Sequence, residues 1–457
     1  MGWGIMRETL VKAEEFKDSL VGRIPKDWDV SSLAALTQYI TYGFTNPMPT
    51  TKDGPWMITA FDIANGKICY GQARHTSEKA YKNDLTQKSK PNLGDILITK
   101  DGTLGRIAVV DRTGICINQS VACLRPLLDT DVRFLVHYLR SDIGQERMLA
   151  DAGGSTIKHI YITKLAQMEV PVPPREERTR ISDILDTIDS TIAHTSSLIA
   201  KLKQMKAGLL HDLLTRGLDE NGELRDAIGH PEQFKDSPLG QIPKNWKFTE
   251  FGALIAEGPQ NGIYKPESDY ADNGVPIVRI DGFYDGVLAN QESFRRVRLT
   301  EAEIRRYALN KEDILINRVN SIDFVGKSAI VLGITEATVF ESNIMRLVLK
   351  RELILPAYSI RLICFFMQRQ LRSQAKSAIA QASINQYDVR SCIVAIPSVE
   401  EQAQIVERID TLDTRIRTEE AYRDKLKLQK KGLMHDLLTG KVRVKDADKF
   451  TSASDTV

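Results

Sequence analysis

The sequence KAGLLHDLLT at residues 206–215 returns as KKGLMHDLLT at residues 430–439, with eight of the ten positions identical. The two copies lie 224 residues apart, and the same spacing relates Glu176 to Glu400. An internal match that keeps its spacing over so long a stretch is typical of a duplicated structural unit. The chain is therefore predicted to contain two copies of one fold, each ending in the same kind of segment.

Both copies are predicted to be long helices. Apolar residues recur at steps of three to seven over residues 176–215 and 400–439, a narrow stripe that suits the seam of a coiled coil. Prolines precede both stretches, and Gly217 and Gly440 follow them, as is usual at helix ends. A buried helix pair inside one large core remains the alternative. The predicted helix seam consists of Ile181, Ile188, Leu202, Leu209, Ile405, Leu412, Leu426 and Leu433, and the stripe also includes Leu198, Met205 and Tyr422.

The repeat extends into the regions that precede the helices. GRIPKDW at residues 22–28 matches GQIPKNW at residues 240–246, here with an offset of 218. Short apolar runs between glycine turns, such as residues 95–98 and 313–316, predict strands in both copies. The predicted fold class is α+β, with two repeated domains of mostly antiparallel sheet separated by two long, antiparallel, coiled-coil-like helices.

The repeat also suggests where the domains begin and end. The predicted divisions are an N-terminal arm at 1–15, a first globular domain at 16–174, a central helix at 175–216, a polar linker at 217–233, a second globular domain at 234–397, a C-terminal helix at 398–440 and a disordered tail at 441–457.

Composition narrows the class of protein. The 457 residues are 42% hydrophobic and 27% charged, with a formal charge of +2. The sequence shows neither an apolar run of about 18 residues nor a signal peptide, so no membrane association is expected. Five cysteines without paired spacing predict a reducing, cytoplasmic setting. A charge near zero means that any DNA binding would depend on local basic residues or on a partner.

The sequence contains only partial matches to catalytic motifs. Residues 326–328, Gly-Lys-Ser, resemble the end of a phosphate-binding loop but lack its first glycine, and residues 46–49, Asn-Pro-Met-Pro, match only part of an amino-methyltransferase motif. The His-Asp pairs at residues 211–212 and 435–436 suit helix C-termini better than a metal or a general base. We therefore expect no catalytic residue, no metal site and no cofactor in the chain itself.

Polar loops at matched positions of the two copies are candidates for DNA binding. They combine aromatic, amide and basic side chains near glycines, which suits base edges and phosphates, although a solvated loop would look similar. Arginine and lysine suit guanine, asparagine and glutamine suit adenine, and the basic run at 295–298 suits phosphate or a solvated face. The candidate residues are Thr45, Lys100, Thr103, Lys158, His159, Asn261, Tyr264, Lys265, Arg295, Arg296, Arg298, Asn317, Arg318, Asn320, Gln381 and Asn385, and the matched loops also contain Ser155 and Thr156.

The duplicated arrangement resembles the DNA specificity subunit of type I restriction–modification systems. The resemblance is carried by the Gly-x-Ile-Pro-x-x-Trp openings at 22–28 and 240–246, by Gly-Asp-Ile-Leu-Ile at 94–98, and by the helix entries at 173–177 and 397–402. It covers residues 16 to about 440.

The resemblance implies a non-catalytic subunit in which each of two target-recognition domains reads one half of a split DNA site. It implies double-stranded DNA and two adenine-methyltransferase subunits as partners, and it allows two nuclease–translocase subunits as well. S-adenosylmethionine and ATP would then belong to the partner subunits. Two alternatives remain, a protein–protein scaffold without direct DNA readout and a self-contained enzyme, and the incomplete motifs argue against the second.

Overall fold

The computed structural model describes residues 10–12, 15–150, 158–378 and 381–444. Contacts divide the chain into two units. Unit 1 comprises Met1–Ser197 and Glu420–Val457, and unit 2 comprises Leu198–Glu419. Unit 1 therefore takes its residues from both ends of the chain, whereas unit 2 is one continuous stretch.

The described strands are short, and both units contain them. Unit 1 contains β1 (Leu10–Lys12), β2 (Phe16–Ser19), β3 (Gly22–Pro25), β4 (Asp29–Ser32), β5 (Thr37–Tyr42), β6 (Thr51–Ile58), β7 (Ile63–Ala64), β8 (Lys67–Ile68), β9 (Arg74–His75), β10 (Ile96–Thr99), β11 (Ile107–Val109), β12 (Ile115–Ile117), β13 (Val121–Pro126), β14 (Glu169–Val172) and, near the end of the chain, β31 (Val442–Val444). Unit 2 contains β15 (Phe234–Ser237), β16 (Gly240–Pro243), β17 (Lys247–Glu250), β18 (Ile255–Asn261), β19 (Tyr270–Val278), β20 (Phe283–Tyr284), β21 (Gly286–Leu288), β22 (Arg296–Val297), β23 (Ile314–Asn317), β24 (Val319–Asn320), β25 (Ser328–Ile330), β26 (Val339–Phe340), β27 (Ile344–Leu349), β28 (Lys376–Ala378), β29 (Gln381–Ser383) and β30 (Ile393–Ile396).

Two of the helices are much longer than the others. The described α-helices are α1 (Glu78–Asn83), α2 (Val132–Arg140), α3 (Asp142–Ala150), α4 (Ile162–Gln167), α5 (Arg175–Thr215), α6 (Glu301–Tyr307), α7 (Pro356–Leu362), α8 (Gln368–Gln374), α9 (Gln386–Arg390) and α10 (Val399–Leu438), and a π-helical turn at Ile363–Met367 joins α7 to α8. Within the described ranges, no helix combines the length and apolarity that crossing a bilayer requires.

Each unit is built around a mostly antiparallel sheet. In unit 1 the strand order is β11-β10-β13-β5, and all three pairings are antiparallel. In unit 2 the order is β18-β27-β23-β25-β21-β20, in which only the pairing of β21 with β25 is parallel. The central strands β10 and β23 are buried along their whole length because apolar residues cover both faces. The α+β fold class with two repeated units is confirmed.

Antiparallel contacts between α5 and α10 occur inside each unit. In unit 1, Asp189 on α5 pairs with Lys430 on α10 at 2.6 Å, and in unit 2, Lys206 on α5 pairs with Asp413 on α10 at 2.5 Å. The two ion pairs occupy equivalent positions of the 224-residue repeat. Apolar residues of both helices join each core, including Ile181 with Leu437 in unit 1 and Leu213 with Ile405 in unit 2.

The apolar stripe differs in part from the prediction. Met205 is 63% exposed and Tyr422 is 43% exposed, so their assignment to the stripe is wrong, whereas Ile199 is buried. A heptad seam alternates steps of four and three, so the seam position that follows Leu202 is residue 206, not 205. Of the eight predicted seam residues, Ile181, Ile188, Leu202, Ile405 and Leu426 are buried, and Leu209, Leu412 and Leu433 are half-buried.

Both ends of the described chain contribute to unit 1. Strand β1 pairs antiparallel with β31, with Leu10 opposite Val444. The prediction of a weakly structured arm and a disordered tail is therefore wrong for these two strands. The remainder of the predicted tail, residues 445–457, and residues 1–9 and 13–14 of the arm lie outside the described residues.

A buried tryptophan and a buried glutamate form a hydrogen-bonded cluster with a half-buried arginine in unit 1. Trp28 Nε1 donates to Glu177 Oε2 at 3.0 Å, and Arg443 donates to both oxygens of Glu177 at 2.7 Å. Arg443 also donates to both carboxylate oxygens of Asp27. The residue that completes this cluster follows α10, so the end of the described chain fixes the beginning of α5.

The equivalent cluster in unit 2 uses the segment that follows α5. Trp246 Nε1 and Arg225 Nη1 donate to Glu401 Oε1 at 3.1 and 2.7 Å, and the backbone N–H of Leu218 donates to the same oxygen at 2.8 Å. Gly217 has a φ of +61°, and a Cβ there would lie 2.5 Å from the Trp246 ring. Residues 217–233, predicted to be a polar linker, instead begin with a segment that is buried in unit 2.

Candidate nucleic-acid interface

Three loops of unit 1 meet where β5 and β10 end. Tyr42, the last residue of β5, pairs with Ala122 of β13, next to the pairing of Thr99 with Val121. The residue after β10 is Lys100, whose carbonyl accepts a hydrogen bond from the backbone N–H of Ile160 at 3.0 Å. The antiparallel ladder therefore brings Tyr42, Lys100 and the loop at residues 158–161 to one end of the sheet, which we call the unit 1 tip.

A carboxylate that was not among the predicted residues organises the unit 1 tip. Asp101 accepts from Lys100 Nζ at 2.8 and 2.9 Å and contacts His159 Nδ1 at 2.6 Å. Burial raises the pKa of the Asp101 carboxyl, but the hydrogen bonds from Lys100 and His159 outweigh that effect and hold the pKa below its ordinary value. The cluster therefore contains an ionised carboxylate that the two cationic or polar partners fix in place.

Lys100 has little hydrogen-bonding capacity left for a base. Two of its contacts go to Asp101, and its ammonium also lies 5.5 Å from the centre of the Tyr42 ring. Lys88, which sequence analysis missed, lies 5.6 Å from the same ring. The direct pairing of Lys100 with guanine that the sequence suggested is therefore not favoured by this geometry.

The remaining unit 1 candidates are solvent-facing. Thr45, Thr103 and Lys158 are exposed on the loops around the tip, and the Thr103 carbonyl accepts a hydrogen bond from the Thr99 hydroxyl. These positions are accessible to a ligand without rearrangement. Ser155 and Thr156 lie outside the described residues.

Unit 2 assembles an equivalent tip with different chemistry. The residue after β23 is Arg318, whose Nη1 donates to the Ser342 carbonyl at 3.3 Å and whose carbonyl accepts from Ile384 N–H at 2.9 Å. Strand β24 pairs with β29, which places Asn320 beside Ala382 and next to Gln381. The structure thus brings Arg318, Asn320 and Gln381 together, and we call this cluster the unit 2 tip.

Two asparagines of unit 2 that were predicted to pair with adenine are either buried or engaged in helix capping. Asn317 is fully buried, and neither Oδ1 nor Nδ2 has a hydrogen-bond partner among the described residues. Asn385 caps α9, and its Oδ1 accepts from the backbone N–H of Tyr387 at 2.7 Å and of Asp388 at 3.1 Å. The predicted pairing of these two residues with adenine is therefore not favoured by this geometry, since Asn317 is buried and helix capping occupies the acceptor of Asn385.

The predicted basic run at 295–298 is largely neutralised within unit 2. Arg296 makes two contacts with Glu336 at 2.7 and 2.9 Å, and Arg295 pairs with Glu267 and lies 4.1 Å from the Tyr270 ring. The hydrogen bond with Glu336 raises the pKa of Arg296. Exposed Arg298 contacts Asn273 at 3.3 Å. Phosphate binding by this run would have to compete with carboxylates, so the prediction is weakened.

The last candidates are Asn261, which ends β18, and Tyr264 and Lys265, which follow it. Asn261 and Tyr264 are exposed, with Tyr264 77% accessible. Lys265 pairs with Glu303 at 2.8 Å, and that hydrogen bond raises the pKa of the lysine. Tyr264 therefore presents an unobstructed ring, whereas the charge of Lys265 is matched locally.

An aromatic cluster beside the unit 2 tip was also missed. Phe324 lies in the loop between β24 and β25, and Phe324 and Tyr284 are 46% and 54% exposed. Lys327 places its ammonium 3.8 Å from the centre of the Tyr284 ring and 5.6 Å from that of Phe324. Burial lowers the pKa of Lys327. The ammonium of Lys327 is therefore surrounded by aromatic rings. In the sequence, the apolar residue Ile322 in the same loop could have indicated such a patch, and the structure shows that it is exposed.

Comparison with known proteins gives one consistent result. The model of the family described as type I restriction modification DNA specificity domain matches residues 25–204 and 243–428. The putative type I restriction enzyme MjaX specificity subunit of Methanocaldococcus jannaschii is 24% identical over 95% of this chain and 98% of its own length. The type I restriction enzyme EcoKI specificity subunit of Escherichia coli K12 is 25% identical, with 86% and 83% of the two chains covered.

Solved structures show the same fold. The S subunit of a type I restriction–modification system from M. genitalium matches with a TM-score of 0.52 at 18% identity, covering 90% of this chain and 96% of that one. A chain from a study of complex assembly and conformational transition in the type I system matches with a TM-score of 0.56 at 17% identity, covering 92% and 99%.

Proposed function

Because this chain belongs to the type I restriction modification DNA specificity family, we propose that it reads a two-part DNA site, one part with each unit, and docks methyltransferase subunits on α5 and α10. Its role is DNA target recognition. The family consists of specificity subunits, so the chain selects the site and does not carry out the chemistry. S-adenosylmethionine and ATP are assigned to the partner subunits, in the cytoplasm, and two nuclease–translocase subunits are the further partners.

The observation that carries this proposal is the pair of tips. Lys100 and Arg318 follow equivalent strands, 218 residues apart, and each is surrounded by loops of its own unit. The scaffold is repeated, whereas the side chains at the tips are not. A duplicated scaffold with different polar groups at the same strand ends suits the reading of two different sequences.

For unit 1, His159 is the proposed base reader and Asp101 is its positioning residue. An ionised carboxylate only accepts hydrogen bonds, so Asp101 requires the proton on Nδ1 of His159. In the neutral ring Nε2 is then an acceptor, which suits the exposed amino group of adenine or cytosine. Lys100 holds the carboxylate from its other side.

For unit 2, Arg318 is the proposed guanine reader. Its Nη1 is held by a backbone carbonyl, so the planar guanidinium is oriented while its other donors stay available for N7 and O6. Gln381 is exposed, which suits an adjacent adenine, whereas the Oδ1 of half-buried Asn320 already accepts from the backbone N–H of Ser321 at 2.8 Å. Tyr264 and Phe324 offer exposed rings for apolar contact with the DNA.

The docking surface is proposed along α5 and α10. Heptad-spaced apolar residues of both helices are used inside the units, while their outer faces are rich in charge. Equivalent ion pairs recur 224 residues apart, so the two units offer partly equivalent helix surfaces to two copies of one partner. A scaffold without DNA readout would use the same helices and would leave the tips without a role.

Exchange of one recognition domain tests the proposal. Residues 16–174 are replaced by those of another family member that keeps Trp28, because this residue anchors Glu177 and Arg443. The methylated sites of cells that carry the hybrid and its methyltransferase are then sequenced. We expect one half-site to change and the other to persist, and the reciprocal exchange of residues 234–397 to do the opposite. If the methylated sites were unchanged in both hybrids, a scaffold role without DNA readout would explain the chain better than target recognition.

A further inference from the structure

Unit 1 contains a groove of about 540 Å³ between the α2–α3 junction and the C-terminal part of α10. Four cationic side chains line it, those of Arg140, Lys427, Lys430 and Lys431, against a single carboxylate, that of Asp142. None of these residues belongs to the tips. Resting on the proposed function, we propose that this groove binds backbone phosphates of the DNA that flanks the half-site read by unit 1.

Two of the lysines are free to change partners. The side chains of Lys427 and Lys431 are 56% and 71% exposed. Lys431 pairs with Asp142 at 2.9 Å and Lys427 lies 3.6 Å from Asp424, and both carboxylates are themselves exposed. Exposed ion pairs of this kind are weak because water screens them. A phosphate can therefore replace either carboxylate at little cost.

The other two cations are fixed in place, and the charge of one of them, Lys430, is matched by a carboxylate. Lys430 is only 21% exposed and is held by Asp189 at 2.6 Å. Arg140 Nη2 donates to the carbonyls of Gly66 and Ile107 at 2.8 and 3.2 Å, and Arg140 Nε is buried without a partner among the described residues. Carbonyl partners carry no net charge, so these hydrogen bonds do not cancel the guanidinium charge, although the carboxylates of Asp189 and Asp186 lie close enough to act on it. The first turn of α3, which begins at Asp142, adds the positive end of its helix dipole.

The groove and the unit 1 tip border the same loop. Ile107, which Arg140 contacts, pairs with Ile98, two residues or about 7 Å along the strand from Lys100. On the following helix, Gln145 Nε2 donates to the Gly105 carbonyl at 3.0 Å, and Gly105 N–H donates to Thr99 at 2.8 Å. A duplex whose bases meet the tip therefore has its neighbouring phosphates within reach of the groove.

The repeat favours DNA over a partner protein as the occupant. At the positions of unit 2 that correspond to Lys431, Ser141 and Asp142, the sequence has Ala207, Phe365 and Phe366. Lys427 and Lys430 do have equivalents in Lys203 and Lys206, but Arg140 corresponds to Cys364, so the full set of four cations is present once among the described residues. A methyltransferase that docks in two copies needs a surface that occurs twice, whereas a single duplex needs a flanking contact only where the chain provides it.

Measurement of the salt dependence of DNA binding tests this inference. The chain, assembled with its methyltransferase, carries Lys427→Gln and Lys431→Gln together. Each lost phosphate contact lowers the slope of log K against log salt by about 0.9, so a reduction of about 1.8 is expected, with roughly 10- to 60-fold weaker binding at 0.1 M salt. The loss should be equal for cognate and random DNA, and the methylated sequence should stay the same.

The matched control removes the same charge from other faces of the helices. Lys201→Gln with Lys425→Gln changes two exposed lysines at equivalent repeat positions outside the groove. If the two double variants weakened DNA binding equally, the effect would come from the net charge of the chain and not from the groove, and the inference would be overturned. An unchanged salt slope for the Lys427→Gln, Lys431→Gln variant would overturn the inference too. If that variant also lost its binding to the methyltransferase, the groove would be identified as a protein-docking surface. Absence of sequence-specific binding in the unaltered complex would instead refute the proposed function.

Discussion

Glu401→Gln is expected to destabilise unit 2 strongly, because one carboxylate there serves four hydrogen bonds. Arg225 donates two of them, and Trp246 and the backbone of Leu218 donate one each. The side chains of Arg225 and Glu401 are only 8% and 9% exposed. Glutamine keeps one acceptor but turns an N–H group toward the guanidinium and leaves its charge unpaired.

The magnitude follows from the burial. Breaking a buried ion pair from one side costs about 3–5 kcal/mol. For a unit of this size, about 2–4 °C of melting temperature is lost per kcal/mol, so unit 2 should melt roughly 6–20 °C earlier. Replacing both partners, as in Arg225→Met with Glu401→Gln, should cost less than Glu401→Gln alone, because no charge then remains buried without a partner and the glutamine oxygen can still accept from Trp246 and Leu218.

The assay must separate the units. Thermal melting gives the total change, and amide hydrogen exchange of peptides around Trp246 and Trp28 assigns the change to unit 2 or to unit 1. Glu400→Gln is the matched control, since the neighbouring carboxylate in the same turn is exposed and should leave the melting temperature unaltered. A loss below about 1 kcal/mol for Glu401→Gln, or a double variant less stable than the single one, would refute the reasoning.

Three further predictions concern the unit 2 tip, the seam and the pH dependence of stability. Arg318→Ala should weaken binding of cognate DNA by about 1–3 kcal/mol and leave random DNA little changed, whereas ion-paired Arg296→Ala should alter neither in a filter-binding titration. Ile188→Asp and Leu412→Asp should both destabilise the helix pair, and on warming the Ile188→Asp variant should stop co-purifying with the methyltransferase at a lower temperature. The reason is that the Ile188 side chain is 6% exposed, whereas that of Leu412 is half-buried. The reverse order would place Ile188 outside the seam. Burial lowers the pKa of His137 despite its contact with Asp186, so its stabilising contribution is present above about pH 6.5 and is lost as the pH falls through the lowered pKa. His137→Asn should flatten that part of the melting-temperature profile.

The long helices show what local pattern can predict. Helices were expected at 175–216 and 398–440, and they occur at Arg175–Thr215 and Val399–Leu438. Their ends depend on nearby prolines and glycines and their seam on short apolar spacings, both of which are visible in the sequence. The errors at Met205 and Tyr422 arose because an apolar residue one step off the heptad is indistinguishable by type from one on it.

The tips show where local pattern fails. The carboxylates that neutralise Arg295 and Arg296 lie 28 and 40 residues away, and only the fold reveals which acidic residue becomes a partner. Strand β23 is buried at all four residues, so no polar–apolar alternation distinguished the buried side of Asn317. The role of Asp101 depends on His159, which is 58 residues distant. The positions of the loops were therefore predictable, but the chemistry left available at each was not.

Because β1 pairs with β31, unit 1 cannot finish folding until the far end of the described chain has been synthesised. Unit 1 starts first, yet Met434, Leu437, Leu438 and Val444 of its core, together with Arg443, are among the last described residues to leave the ribosome. Roughly 250 residues separate the first stretch of unit 1 from these groups. At about 5–20 residues per second, the unfinished unit stays open for about 12–50 s while continuous unit 2 is completed. The half that is made first thus matures last, and during that interval it depends on chaperones or on its own solubility.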